Sequence, residues 1–180
     1  MGYSARRHAR AARNRGAELV AAVNWRLESL AIFVGEFGIA RTYLALDELL
    51  QAGGTDSAIV GTPKALNAPQ TSALLEAGIH VMVEKPMALD VAEAAQLRPA
   101  AARSGRALII AHCWRFDAEV RLLRAYVAAS DLGMIIRTRS GVHTHTRPSG
   151  RFTRRSLTGG TMADMGAHAI DTVRFLLGDP

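Results

Sequence analysis

Two short stretches carry the residue types that move protons and hold small molecules. The first is Glu84-Lys85-Pro86, which follows the apolar residues Val81, Met82 and Val83. Such a run suits a strand covered on both faces, so the charges stand at its carboxyl end. Ligands of open α/β sheets bind along that edge. Side chains alternate along a strand, so Glu84 and Lys85 point to opposite faces and need not pair. A lysine in a cleft can donate or accept a proton, whereas arginine is too basic to do so. Pro86 stiffens the approach, and a cis Lys85–Pro86 bond is compatible with the sequence. The plain alternative is a surface lysine at a turn. The chain has twenty arginines and only two lysines, Lys64 and Lys85, which singles out both as amines kept for a purpose.

The second stretch is TGGTMADMGAHAID, residues 158–171. Asp164, His168 and Asp171 fall at i, i+4 and i+7, which puts all three on one helix face. Asp164 and His168 then form an acid–base pair at a helix start. Gly159, Gly160 and Gly166 would let backbone or ligand come close. Asp164 has a structural reading too, as the third helical residue of a capping box whose cap is Thr161. A metal reading also exists, since His143 and His145 share a strand face and His168 could join them. The expectation taken forward has no metal.

These residues need elements to hold them. Hydrophobic periodicity predicts helices over 4–14, 25–37, 46–52, 67–77, 90–104, 117–130 and 161–177. It predicts strands over 18–23, 41–44, 56–61, 80–84, 107–111 and 134–145. Asn67 reads as a helix cap, Asp90 with Glu93 as a capping box, and Pro99 as a kink within its helix. Alternating strands and helices imply an α/β fold with a doubly wound, parallel (Rossmann) sheet. The usual first strand is missing, because here the helix comes first. From about residue 134 the rhythm changes to the beginning of an α+β domain. The expected division is 1–113 for a dinucleotide-binding domain and 114–180 for the start of a substrate and oligomerisation domain.

The strand ends nominate a cofactor site. MGYSARRH fits the back half of a G-x-G-x-x-[GA] turn, from Gly2 through Ser4 to Ala5. After the strand at 18–23 stand Asn24 and Arg26, where a dinucleotide fold usually has an acid for the ribose hydroxyls. The missing charge and Arg26 favour NADP over NAD. Thr62, Pro63 and Lys64 follow the strand at 56–61, with Thr62 placed to hydrogen-bond a cofactor.

Composition excludes several classes. Nearly half of the 180 residues are apolar, which allows a sizeable core, yet no run approaches a membrane span. One cysteine, Cys113, excludes an internal disulfide and suits a reducing, cytoplasmic setting. No signal peptide is evident. The net charge is +6, with five arginines and no acid in residues 1–17 and six arginines and no acid in 132–163. Aromatic interleaving is sparse in both, so nucleic acid is not an expected partner.

Together the Gly2–Ala5 turn, TPKALN (62–67), EKP (84–86), HCWRF (112–116) and GGTMADMGAHAID (159–171) resemble the Gfo/Idh/MocA family of glucose–fructose oxidoreductase and inositol dehydrogenase relatives. The resemblance implies an NAD(P)-dependent oxidoreductase acting on a sugar, cyclitol or related polyol or keto compound. It implies that Lys85 lies beside nicotinamide and substrate and that His168, with Asp164, is the acid–base on the reacting hydroxyl. Glu84 belongs to the cofactor edge with Lys85, and Arg115 matches a basic position near the cofactor. Asp171 has an orienting or structural part. Members usually carry Asn where Lys64 stands and His where Asn67 stands, begin with a strand and a first glycine, and continue into a large open sheet. The resemblance is therefore to a member cut at both ends, whose full-length form is a homo-oligomer. The second reading is a non-catalytic remnant that keeps the fold and binds a nucleotide.

Overall fold

The computed structural model describes residues 2–141, 160 and 162–178. Helix α1 (Tyr3–Asn14) leads to strand β1 (Ala21–Val23), α2 (Leu27–Phe37), β2 (Arg41–Tyr43), α3 (Leu46–Ala52) and β3 (Ser57–Val60). There follow α4 (Asn67–Glu76), β4 (His80–Val83), α5 (Val91–Ser104), β5 (Leu108–Ile110), α6 (Ala118–Ala128) and α7 (Ala167–Leu177). Single 3₁₀ turns at Lys64–Leu66 and Cys113–Phe116 and a π turn at Met162–Gly166 complete the described elements.

Local chemistry explains most boundaries. Gly38 ends α2 in the left-handed region at φ 63°, which a side chain would oppose. Asp90 caps α5 by accepting the Glu93 amide at 2.8 Å, while the Glu93 carboxylate reaches back to the Leu89 amide at 3.0 Å. Helix α5 runs on through Pro99, which lies on its exposed side. Asn67 is not a cap: it begins α4 in helical conformation, and its side chain turns elsewhere.

All strand pairs are parallel, and the sheet is in two pieces. One holds β1 and β2, with Ala22 opposite Thr42. The other has the order β3-β4-β5. Among the described residues no backbone ladder joins β1 to β3. Each piece has its own apolar cluster. Ala9, Ala22, Leu30, Phe33, Phe37 and Ile39 fill the first, against α1 and α2. Val60, Leu74, Leu75, Ile79, Val81, Val83 and Ala100 fill the second, between the sheet and α4 and α5. Leu46 and Leu50 of α3 pack on the second cluster although α3 follows β2, so that helix ties the halves together.

The strand read over 134–145 does not form in residues 134–141. No strand pairs with them among the described residues, and Met134 and Ile136 stand exposed at 85% and 89%. An extended segment needs a neighbour to take up its amides and carbonyls. His143, His145, the loop 147–159 with Gly159, and Thr161 lie outside the described residues. No described helix is long and apolar enough to cross a membrane.

Candidate active site at the carboxyl end of the three-stranded sheet

The register of the three-stranded sheet builds the site. Val60 pairs with Val83, and Val83 with Ile110. Beyond that level the Glu84 amide still bonds to the Val60 carbonyl at 2.8 Å, and the Ala111 amide to the Val83 carbonyl at 2.9 Å. The three strands therefore stop together, and the segment after each strand leaves by the same edge. Thr62–Asn67 come after β3, Glu84–Pro86 after β4, and His112–Phe116 after β5.

Buried Asn67 binds two of these exits. Its Nδ2 donates to the carbonyls of Glu84 at 3.2 Å and Pro86 at 2.8 Å, while its Oδ1 accepts the Thr62 hydroxyl at 3.1 Å. The Lys85–Pro86 peptide is cis.

Both lysines of the chain meet at one carboxylate. Lys64 Nζ donates to Asp164 Oδ1 at 3.0 Å and Lys85 Nζ donates to the same oxygen at 2.9 Å. Lys85 Nζ also donates to the Asp164 backbone carbonyl at 2.8 Å. Burial pushes the Asp164 carboxyl up, but the hydrogen bonds and charges of Lys85 and Lys64 outweigh it and hold it below the ordinary aspartate value. Asp164 lies in the π turn, a form of helix that recurs at functional sites. Its carboxylate is turned to the lysines. The Cβ that Gly166 lacks would meet the Met162 side chain at 3.0 Å, so that glycine lets Met162 close over the turn.

On the opposite face of β4 the Glu84 carboxylate meets His8 Nε2 at 2.8 Å, joining α1 to the strand end. Burial raises the Glu84 carboxyl, and the His8 contact with the Lys85 amide and charge brings it down below its ordinary value.

His168 is buried at the start of α7. Its imidazole stacks on the Trp114 indole, centroids 4.5 Å apart and planes 14° apart, and meets the His112 ring edge-on at 6.4 Å. Burial first, then the positive charge of Lys85, hold its imidazole below the ordinary 6.5. His168 is therefore neutral at neutral pH, and Lys85 is near enough for its charge to be felt there. One turn further, Asp171 accepts a two-pronged contact from Arg115, Nε at 2.8 Å and Nη2 at 2.6 Å. His112 Nδ1 lies 3.7 Å from the same carboxylate. Burial also depresses His112, more than the Asp171 charge restores it.

The sequence-nominated residues thus fall into two groups. Lys64, Lys85, Asp164 and His168 converge, with Thr62, Pro63, Glu84 and Arg115 around them. Asn24 and Arg26 stand apart at the end of β1, where Asn24 Oδ1 accepts the Arg26 amide at 2.9 Å and the Arg26 guanidinium lies 5.5 Å from the Trp25 ring centroid. Gly2, Ser4 and Ala5 form the first turn of α1. The sequence assigns no role to His8, His112 or Trp114, and it marks Asn67 as a cap and as a departure from the family's usual His. HCWRF held two of these four, but adjacent residues in a turn give no sign of which side chain faces inward. An open groove of about 840 Å³ lies beside the site, between α6 and α7, with Arg124, Val127, Ile170 and Phe175 in its walls. It shares only the Arg115–Asp171 side with the cluster, and Lys85, Asp164 and His168 are not in its lining.

Known proteins resemble this chain in sequence and fold. The profile of an oxidoreductase family with an NAD-binding Rossmann fold matches residues 1–112, and that of the GFO/IDH/MocA C-terminal domain matches residues 120–180. A 1,5-anhydro-D-fructose reductase of Ensifer adhaerens is 31% identical over 94% of this chain and 52% of its own length. The NADP-dependent scyllo-inositol 2-dehydrogenase of Bacillus subtilis is 30% identical over 81% of this chain and 41% of its own. Among solved structures, a WlbA dehydrogenase of Chromobacterium violaceum in complex with NADH and UDP-GlcNAcA superposes with TM-score 0.86. It is 25% identical and covers 98% of this chain and 53% of that one. The chain spans about half the length of the curated relatives it matches.

Proposed function

The chain belongs to the Gfo/Idh/MocA family of NAD-binding oxidoreductases, and from that premise we propose that it serves hydride transfer between a nicotinamide dinucleotide and a sugar, cyclitol or related polyol or keto compound. The observation that carries the proposal is the meeting of Lys85 with Asp164 and His168 at one strand-end edge, Lys85 standing 79 residues before Asp164 in the chain.

The residues fit a dinucleotide. Helix α1 begins on an extended Gly2, with no acid in its first turn and no side-chain cap on its amides. A Cβ at Gly2 would meet nothing within 4 Å, so the space before the helix is open. Free amides at a helix start favour a pyrophosphate. Asn24 and Arg26, with no acid from Asn24 to Arg26 at the end of β1, suit a 2′-phosphate, which supports NADP over NAD. Thr62, Lys64 and Lys85 stand at the carboxyl ends of β3 and β4.

The bound nicotinamide supplies the hydride acceptor or donor. The chain supplies position and proton traffic. His168, neutral and buried, takes the proton of the reacting hydroxyl in the oxidising direction and returns it in the other. Its Nδ1 is buried, which leaves Nε2 to meet the substrate. Lys85 donates a hydrogen bond to the substrate oxygen, and Asp164 holds the amine in place through both its side chain and its carbonyl.

Titration with NADPH and with NADH, followed by nicotinamide fluorescence, tests binding; tighter binding of NADPH is expected, and Arg26→Glu should remove the difference. Turnover on a panel of sugars and inositols tests chemistry. Binding without turnover on any of them would support the non-catalytic reading instead.

A further inference from the structure

A general base must be aimed as well as present. The usual device is a hydrogen bond to the second ring nitrogen, from a carboxylate or a carbonyl, which fixes both tautomer and rotation. His168 lacks it: Nδ1 is buried, and among the described residues it has no hydrogen-bond partner. The acid three residues on, Asp171, is engaged by Arg115 through both oxygens and lies against His112, and the Asp164 carboxylate is taken by Lys64 and Lys85. Something else must stop the imidazole from turning.

Trp114 meets that need. Its indole is nearly parallel to the imidazole, 14° between planes and 4.5 Å between centroids. The 3₁₀ turn Cys113–Phe116 that carries it is fixed from both sides. Its first residue comes just after the last ladder bond of β5, and Arg115 inside it is clamped to Asp171 on α7. The turn and the helix are thus locked to each other one residue from the tryptophan and three from the histidine. His112 closes the ring edge at 6.4 Å. We propose that Trp114 is a positioning residue, whose stacked indole sets the rotation of the His168 ring and presents Nε2 to the substrate hydroxyl. The proposal rests on the reading of His168 as the acid–base, but the stack can be tested without it.

The groups that face His168 from the packed elements are Lys85 and Glu84 at the end of β4, Asp164 in the π turn and His112 after β5. None lies over the imidazole face as Trp114 does. The first experiment uses the whole chain with Trp25→Phe, so that Trp114 alone fluoresces. A protonated imidazole quenches a stacked indole, so emission should fall as pH drops, with its midpoint below 6.5. Trp25→Phe with His168→Gln should lose that step. A step that survives His168→Gln, or no step at all, overturns the contact.

The second experiment reads the ring itself. In proton NMR the carbon-bound ring protons of His168 should lie upfield, within the indole ring current. Trp114→Phe should keep most of that displacement and Trp114→Ala should abolish it, with the circular dichroism of both unchanged. If Trp114→Ala does not fold, the Trp25→Phe titration and Trp114→Phe still decide the contact. Where turnover is found, Trp114→Ala should lower kcat by up to about a hundredfold with little change in KM, and Trp114→Phe should restore most of it. Equal kcat in all three overturns the positioning role. A stack with no turnover would leave the contact standing and remove the oxidoreductase reading.

Discussion

At the scale of single residues, the site sets protonation states against one another. His168 and His112 are both held below the ordinary 6.5, and Asp164 and Glu84 below their ordinary 3.8 and 4.5. Unfolding returns each group to its ordinary value, so the unfolded chain binds more protons in each window. Stability is then full above 6.5, falls as the pH drops through the folded histidine values, and falls again through the folded carboxylate values. Urea unfolding at about pH 7.5 and about pH 5.5 should show a lower midpoint at the acid value. Substituting His112 and His168 together by Gln should flatten that difference, although the variant has its own baseline. The same logic orders the chemistry. Lys85 contributes to the depression of His168, so Lys85→Met should move the His168 titration, followed by NMR, to higher pH. A midpoint that stays put would mean the amine is too far from the imidazole to share its site. Lys85 could be singled out from sequence because lysine is rare here and a strand end precedes it. The meeting of Lys64 with Asp164 could not, because it depends on a contact across 100 residues.

At the scale of elements, the loops after β3 and β4 are one unit because Asn67 ties them. Its buried amide is fully used, two donors to Glu84 and Pro86 and one acceptor to Thr62. Asn67→Ala leaves those part-buried partners unmatched, which should cost about 1–3 kcal/mol by urea denaturation. Asn67→Asp should cost more, since a carboxylate cannot donate to the two carbonyls. Loss of dinucleotide binding should accompany both, because Thr62 and Lys85 lose their common anchor. Helices and strands up to residue 130 follow the hydrophobic periodicity to within a few residues, as at Leu46–Ala52 and Val91–Ser104. Those elements are specified locally, by apolar spacing, glycine stops and a capping box. The cap reading of Asn67 failed for a physical reason: the Thr62 hydroxyl takes the Oδ1 that would accept a helix amide, while the Glu84 and Pro86 carbonyls hold Nδ2. The strand read over 134–145 does not form over 134–141, because alternation shows which face could be buried and says nothing of whether a neighbouring strand is there to bond to it.

At the scale of the whole molecule, the division of the sheet should govern how the chain opens. The three-stranded piece carries ladders on both sides of β4, and Leu75 and Val83 in its cluster are 0% exposed. The two-stranded piece has one ladder of three residue pairs and leans on α1 and α2. Two-stranded sheets are marginal in water, and a short ladder with an outer edge on each strand protects few amides. The halves are joined by α3, through Leu46 and Leu50, and by the His8–Glu84 contact, which is part-buried. Amide exchange should therefore fall into two classes, with β4 and the buried face of α4 slowest and β1, β2 and α1 opening first. His8→Ala should widen the gap, because it cuts the α1 anchor while leaving the second cluster intact. Leu75→Ala should lower protection in the three-stranded piece and cost about 2–5 kcal/mol. Exchange at one common rate across β1 and β4 would show that the two pieces open as a single cooperative body. A dinucleotide supplies the discriminating condition. On the proposed reading it touches the α1 start, the β1 end and the β3 and β4 ends at once, so NADPH should slow exchange in the first class more than in the second. A bound form that protects only the β3–β5 edge would place the ligand away from Gly2 and Arg26, and would remove the basis for preferring the phosphorylated cofactor.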